Sequence, residues 1–267
     1  MTIDGKTILY GVIGDPVFAV RSPEWFNALF ERQGINAVML PMRVAREELK
    51  AAFDGLKRID TLRGLVITMP HKASMCALLD TLGPAARALG AVNAARRMED
   101  GRWIGDMFDG RGCVEGLRGQ GREVSGRSVF LLGTGAAGAA VSFALAEAGV
   151  SQLALHDVDA HRCESVAARI GAAFPNTQVS VEPLRPNAAY DIVINATPLG
   201  MQPDDPLPFD PAPLPETTLV VDVVTKPELT PLLIRAKQTG HRTHSGRFMH
   251  AGQAMEAARF FGFDPTG

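Results

Sequence analysis

The sequence predicts an α/β fold with two mostly parallel sheets, and three observations carry that prediction. Short β-type runs alternate with longer segments of helical period along nearly the whole chain, the pattern of strands joined by crossover helices. A polar, Gly-rich stretch, GQGREVSGR (119–127), interrupts the alternation, and a fresh βα series opens after it. At 267 residues the chain suffices for two modest domains of roughly 100–200 residues each.

Taken in order, the first strand candidates are TILYGVIG (7–14), NAVMLPMRV (36–44) and GLVITM (64–69). Between them lie PEWFNALFERQG (23–34), with Trp25, Phe26, Leu29 and Phe30 on one helical face, and AREELKAAFDGLK (45–57), with Leu49, Phe53 and Leu56 similarly spaced. Two extended runs, 91–98 and 102–106, meet at an Asp-Gly turn and predict a hairpin. A helix follows over 109–119. The second series reads as strand 128–132, helix 137–148, strand 152–156, helix 160–172, and strands 178–181, 190–195 and 218–223. MQPDDPLPFDPAPLPE (201–216) holds too much proline for a helix or central strand and reads as a surface loop. An amphipathic helix over 248–262 closes the chain and returns to the first domain.

Composition excludes several function classes. The chain has 27 Lys and Arg against 29 Asp and Glu, a formal net charge of −2, and no dense basic stretch, which argues against a nucleic-acid partner. No apolar run approaches the roughly 18 residues that span a bilayer, and the N-terminus lacks the basic region of a signal peptide. A cytoplasmic protein without a membrane partner is expected. Cys76, Cys113 and Cys163 are far apart and odd in number, so they read as reduced thiols. The six histidines contain no HExxH, and no metal is expected.

Gly133-Thr134-Gly135-Ala136-Ala137-Gly138 fits GxGxxG directly after the apolar run SVFLL and before AAVSFALAEAG. That context is the dinucleotide fingerprint of a Rossmann domain. The first glycine permits the turn, the second admits a pyrophosphate, and the third lets strand and helix pack closely, with the helix N-terminus supplying N–H groups. The next strand runs into Asp157-Val158-Asp159. A carboxylate about 20 residues past the loop accepts from the adenosine ribose hydroxyls and repels a 2′-phosphate, which favours NAD over NADP. Asp157 is the preferred candidate and Asp159 the alternative. Arg162 stands close enough to meet a phosphate instead, and either aspartate could simply cap the helix beginning near Ala160.

Moving a hydride to or from an alcohol also requires an acid/base for the hydroxyl proton. Neither Tyr10 nor Tyr190 is followed four residues on by lysine, so the Tyr-Lys arrangement of short-chain dehydrogenases is excluded. Lysine, histidine and a carboxylate remain.

RSP (21–23), VITMPHK (66–72), GAVNA (90–94), GDMFDG (105–110), NATPLGM (195–201) and SGRFMHAGQ (245–253) occur in an order and spacing that resembles the shikimate dehydrogenase family, including its quinate-oxidising and shikimate-dehydrogenase-like branches. The resemblance covers essentially the full length. It implies an N-terminal α/β substrate domain (1–107 plus 245–267), a C-terminal Rossmann NAD-binding domain (108–244), and an active site in the cleft between them. It further implies that Lys72 exchanges the substrate proton and that Asp109 orients Lys72 and meets the reacting hydroxyl. By the same resemblance Ser22, Thr68, Asn93 and Gln253 hydrogen-bond the ring substituents of the substrate, Arg21 meets its carboxylate, and Thr197 and Met201 belong to the cofactor site. The expected ligand is a small hydroxy acid, and the expected assembly a monomer or homodimer.

The match departs from the family pattern on the substrate side. Val20 stands for the first Ser of SxS, Val66 for the Asn of NVT, Met107-Phe108 for the Asn-Thr of GDNTDG, and Val224 for the Tyr beyond the VxD strand. Each unpaired substrate oxygen costs on the order of 1–3 kcal/mol, so these changes point to an altered pocket, with Phe108 crowding the ring. The expected activity is reversible NAD-linked oxidation of a ring alcohol of shikimate, quinate or a related hydroaromatic acid. The alternatives are a conventional NADP-dependent biosynthetic shikimate dehydrogenase and a non-catalytic dinucleotide-binding regulatory module.

Overall fold

The computed structural model describes residues 3–18, 20–184 and 190–266. The chain divides into two compact units, 1–108 with 254–267 and 109–253. The polar stretch 119–127 lies inside the second unit, where it joins a helix to the first strand.

The first unit contains β1 (Ile8–Gly14), α1 (Ser22–Arg32), β2 (Ala37–Arg43), a 3₁₀ turn leading into α2 (Leu49–Leu56), β3 (Leu62–Ile67), α3 (Lys72–Cys76), β4 (Thr81–Leu82), α4 (Pro84–Leu89), β5 (Ala94–Arg97) and β6 (Trp103–Asp106). The second contains α5 (Asp109–Arg118), β7 (Ser128–Leu132), α6 (Ala136–Glu147), β8 (Gln152–His156), α7 (Ala160–Ala173), β9 (Gln178–Val181), β10 (Ile192–Asn195), β11 (Leu219–Asp222), α8 (Pro231–Gln238) and β12 (Arg242–Ser245). The last helix, α9 (Arg247–Phe261), begins in the second unit and ends in the first.

The first sheet is mixed, in the order β2-β1-β3-β5-β6-β4. β1 pairs in parallel with β2 and β3, and β5 runs antiparallel to both β3 and β6. The hairpin forms as expected: Gly101 takes φ +84°, and the Arg102 N–H donates to Asp100 Oδ1 at 3.0 Å. α1 starts at Ser22-Pro23, where proline's missing N–H costs nothing, and buries Phe26, Leu29 and Phe30 at helical spacing. Full burial of each such side chain contributes about 1.5–3 kcal/mol. They pack in one cluster with Tyr10, Val66, Phe108, Ala257 and Ala258. Tyr10 lies 5.2 Å from Phe261 and 5.5 Å from Phe263, so the chain's final residues complete the core of the first unit.

The second sheet is fully parallel, in the order β9-β8-β7-β10-β11-β12. That is the doubly wound order in which the topology reverses between the first and fourth strands, here β7 and β10. Its core includes Phe130, Val193, Val220 and Leu232.

Three sequence expectations are corrected. The 201–216 segment is a loop, but not merely a surface one, because Phe209 and Leu214 are buried in the second core. α9 is not sorted into apolar and polar faces: Ala257 and Ala258 are buried side by side, and the aromatic pair Phe260 and Phe261 follows on adjacent positions. Elements also form where none was expected, between 69 and 91 and between 223 and 247. α3 buries only Met75, α4 is set by Pro84 and ended by Gly90 at φ +67°, and α8 is capped by Thr230, whose hydroxyl accepts from the Leu233 N–H. These elements are too short, or in β12 too polar, to show a periodicity.

No helix among the described residues is long and apolar enough to cross a membrane.

Candidate functional site

The loop after β7 gives each glycine a distinct physical reason. Gly133 takes φ +93°, and a Cβ there would stand 2.8 Å from Thr197 Cγ2 and 2.9 Å from the Ala196 carbonyl. A Cβ at Gly138 would fall 1.8 Å from the Gly133 carbonyl oxygen, so only glycine lets α6 close onto the turn. Gly135 has nothing within 4 Å of its Cβ position. It is the N-cap of α6, followed by exposed Ala136 and half-buried Ala137, and it leaves an open approach to the helix N-terminus. An uncrowded backbone edge beside unpaired N–H groups is the surface that a pyrophosphate requires, so the loop fits a dinucleotide. The loop lies at the carboxyl ends of β7 and β10, where the topology reverses.

Asp157 follows β8 and points back into this loop. Its Oδ2 accepts from the Thr134 N–H (2.6 Å) and the Thr134 hydroxyl (2.9 Å), and its Oδ1 accepts from the Asp159 N–H (2.9 Å) and Arg162 Nη2 (2.6 Å). The side chain is 3% exposed. Burial opposes ionisation, and these hydrogen bonds outweigh it, bringing the carboxyl down to about 2. A carboxylate offers about four lone-pair positions, and here all are engaged. Asp159 is the N-cap of α7: its Oδ1 accepts from the Arg162 N–H at 3.0 Å, while Oδ2 lies 3.5 Å from Arg162 Nη1. Arg162 therefore sits between two carboxylates.

A network that motif reading missed supports the turn after β10. Asn195 and Asp222, both fully buried, end neighbouring strands. Asn195 Nδ2 donates to Asp222 Oδ1 (3.1 Å) and to the Leu199 carbonyl (3.0 Å), and Asn195 Oδ1 accepts from the Thr197 hydroxyl (2.7 Å). The Thr230 hydroxyl donates to Asp222 Oδ2 at 2.6 Å. Burial pushes the Asp222 carboxyl up, and the hydrogen bonds oppose that shift. The network holds Thr197 beside Gly133 and leaves Met201 half exposed at 52%. The Asn of NATPLGM and the Asp of VVDVV were the available signals.

In the first unit, hydrogen bonds gather Thr68, Lys72 and Asn93 at the carboxyl end of β3. The Thr68 N–H donates to Ile13 O, the Ile67 N–H to Asn93 O, and the Val92 N–H to Lys72 O. Gly14 makes the approach possible, since a Cβ there would meet Thr68 Cγ2 at 2.3 Å. Lys72 is half-buried at the start of α3. His71 is fully buried beneath it, and its Nε2–H donates to the Val44 carbonyl at 2.8 Å. Asn93 is 1% exposed, and its Oδ1 accepts from the Phe108 N–H at 2.8 Å, so this side chain braces the 106–108 segment. Asp106, also missed, caps α4 through the Ala86 N–H at 2.7 Å. Arg21 and half-buried Ser22 follow the loop that leaves β1, with Arg21 exposed.

Val66 and Phe108 are 5% and 3% exposed and share one apolar cluster, against which Val20 packs. Phe108 lies 5.0 Å from Phe260, so its ring packs in the core of the first unit. Met107 and Val224 are buried as well.

Asp109 and Gln253 belong to the second unit. Asp109 opens α5, and α9 lies so close to that helix that a Cβ at Gly112 would fall 2.5 Å from the Gln253 nitrogen. Among the described residues, no group of three or more His, Cys, Asp or Glu side chains is arranged to hold a metal ion.

The family model for the shikimate dehydrogenase substrate binding domain matches residues 12–95. The shikimate dehydrogenase (NADP(+)) of Rubrobacter xylanophilus is 40% identical over 269 residues, covering 98% of this chain and 94% of its own. Among solved structures, shikimate 5-dehydrogenase from Listeria monocytogenes, in complex with shikimate and NAD, superposes with a TM-score of 0.91 at 28% identity, over 98% of this chain and 94% of that one. Quinate dehydrogenase from Corynebacterium glutamicum, in complex with NAD, gives a TM-score of 0.85 at 32% identity, over 96% and 93% of the two chains.

Proposed function

The chain belongs to the shikimate dehydrogenase family of NAD(P)-dependent oxidoreductases, and from that premise we propose that it oxidises, reversibly and with NAD, a ring secondary alcohol of shikimate, quinate or a related hydroaromatic acid. The first unit is its substrate domain and the second its dinucleotide domain. The cofactor supplies the hydride acceptor or donor. Gly133, Gly135 and Gly138, with the Ala136–Ala137 turn of α6, hold its pyrophosphate, and Thr197 and Met201 border its reactive end. Lys72 and Asp109 form the proton-handling pair: the lysine exchanges the hydroxyl proton, and the carboxylate hydrogen-bonds the reacting group. Ser22, Thr68, Asn93 and Gln253 position the ring, and Arg21 takes its carboxylate.

One observation carries the preference for NAD. Arg162, the cation next to the ribose-reading position, is already bound by Asp157 at 2.6 Å and faces Asp159 at 3.5 Å. Two carboxylates around one guanidinium leave net negative charge, which a ribose 2′-hydroxyl tolerates and a 2′-phosphate does not. Because every acceptor position of Asp157 is engaged, ribose recognition by Asp157 requires Arg162 to swing off Oδ1, an inexpensive move for an arginine that is 46% exposed. The alternative acceptor is Asp159, itself 49% exposed.

The altered substrate pocket is supported by the shared cluster of Val20, Val66 and Phe108. These positions change together from polar to apolar and satisfy one another by packing. Steady-state kinetics with NAD and NADP against shikimate, quinate and less hydroxylated ring acids test the proposal. The expected result is a higher kcat/KM with NAD and weak shikimate turnover. NADP preference with a shikimate kcat/KM in the ordinary range of about 10⁴–10⁸ M⁻¹s⁻¹ refutes it in favour of a conventional biosynthetic enzyme.

A further inference from the structure

We propose that the second unit carries a binding site for a small, multiply charged oxyanion at the amino ends of its strands, built on Arg122 and Arg242. A cavity of about 250 Å³ opens there, lined by these two arginines with Arg127, Glu123 and Asp191. At about 30 Å³ per water molecule it has the room of about eight waters, enough for inorganic phosphate or a small phosphorylated or polycarboxylate metabolite.

The charges in this cavity are unbalanced. Arg127 is paired with Asp191 at 3.4 Å, and Glu123 faces Arg118 at 3.8 Å. Among the described residues, the Arg122 guanidinium has one long hydrogen bond, to the Thr243 carbonyl at 3.4 Å, and the Arg242 side chain has no hydrogen bond or ion pair. Burial, then the like charge of Arg242, holds the Arg122 guanidinium below the usual arginine range. His244, two residues along β12 from Arg242, adds no third positive charge at neutral pH: burial and then Arg122 push its imidazole down to about 4. Two guanidiniums lining one concave site lack an oxyanion to accept their forked N–H donors.

The position separates this site from the cofactor loop. Arg127 precedes β7, Asp191 precedes β10 and Arg242 opens β12, whereas Gly133, Asp157 and Thr197 follow the carboxyl ends of their strands. β7 is five residues long, which at about 3.3 Å per residue puts the two edges roughly 15 Å apart. An anion bound here does not compete with a dinucleotide.

The test is calorimetric titration of the full chain, saturated with NAD so that the glycine loop is filled, with inorganic phosphate, citrate or chloride at matched ionic strength. Saturable one-to-one binding of phosphate or citrate, and none of chloride, is expected, and whichever anion binds more tightly identifies the ligand as phosphate or carboxylate. Arg242→Gln, at an exposed position with no side-chain partner among the described residues, weakens binding about tenfold or more, as does Arg122→Gln, while Arg118→Gln does not. Dehydrogenase turnover without added anion is unchanged in Arg242→Gln. Wild-type binding by Arg242→Gln, or no saturable binding of either phosphate or citrate, overturns the proposal.

Discussion

Replacing Asp157 by Asn keeps the shape of the side chain and removes its charge, which separates the two tasks assigned to this residue. The ionised form is favoured because hydrogen bonds from Asp159, Thr134 and Arg162 outweigh burial and bring the carboxyl from 3.8 to about 2. At about 1.4 kcal/mol per pKa unit, that shift corresponds to at most roughly 2.5 kcal/mol. Solvent screening of the half-exposed Arg162 reduces it to about 1–2 kcal/mol. A folded-state pKa below the unfolded value gives stability that is complete above about pH 4 and lost as the pH falls toward 2. Asp157→Asn should therefore lower Tm by about 2–8 °C at pH 7, and the gap to wild type should shrink to about half by pH 3. Neutralising one of the two carboxylates around Arg162 should also move the ratio of kcat/KM for NADP to that for NAD upward by about 10–100-fold. Calorimetric melts at both pH values and initial rates with both cofactors measure these effects. An equal Tm gap at pH 7 and pH 3 would show that the charge is not what Asp157 contributes, and an unmoved cofactor ratio would refute its part in discrimination.

Lys72→Ala should lower turnover by roughly 10²–10⁴ with little change in NAD affinity, because proton transfer is lost and no dinucleotide contact is; retained turnover on an authentic substrate disproves the pairing with Asp109. Gly138→Ala should fail to fold or melt far below wild type, since its methyl would meet the Gly133 carbonyl at 1.8 Å. Gly135→Ala should melt close to wild type yet raise the KM for NAD, because its methyl points into open space that the cofactor needs; a normal KM there removes the pyrophosphate from this loop. Val20→Ser with Val66→Asn should raise shikimate kcat/KM by about tenfold per recovered hydrogen bond. The buried amide at position 66 should cost about 1–3 kcal/mol of stability, read from the melt.

The sequence was legible wherever an element is long enough for its period to repeat. α1, α7 and the strands of both sheets other than β4 and β12 follow from spacing alone, and the hairpin follows from Asp100-Gly101. α3, β4 and α4 were not, because each spans few residues and is held by single contacts such as Asp106 with the Ala86 N–H. α8 carries a Thr-Pro start at Thr230-Pro231, but its eight residues are too few for the helical period to repeat. Of the site, the glycine loop was legible because backbone geometry dictates its residue types. The engagement of Asp157 was not, since it depends on Thr134 and Arg162 converging from separate elements. The packing of Phe108 was not legible for a related reason: an apolar residue at a motif position carries no sign of its partner, here Phe260.

The first unit is assembled from two segments of chain separated by the whole of the second, and Phe261 and Phe263 pack against Tyr10 in its core. Synthesis on the ribosome is vectorial. At about 5–20 residues per second, the amino-terminal segment waits on the order of ten seconds for the residues that complete it. The uninterrupted second unit has all of its strands before that moment. A nascent chain stalled before residue 254 thus holds a finished nucleotide-type sheet and an aromatic cluster still open to chaperones, and a premature stop codon in the last helix removes the aromatic side chains that close the amino-terminal core.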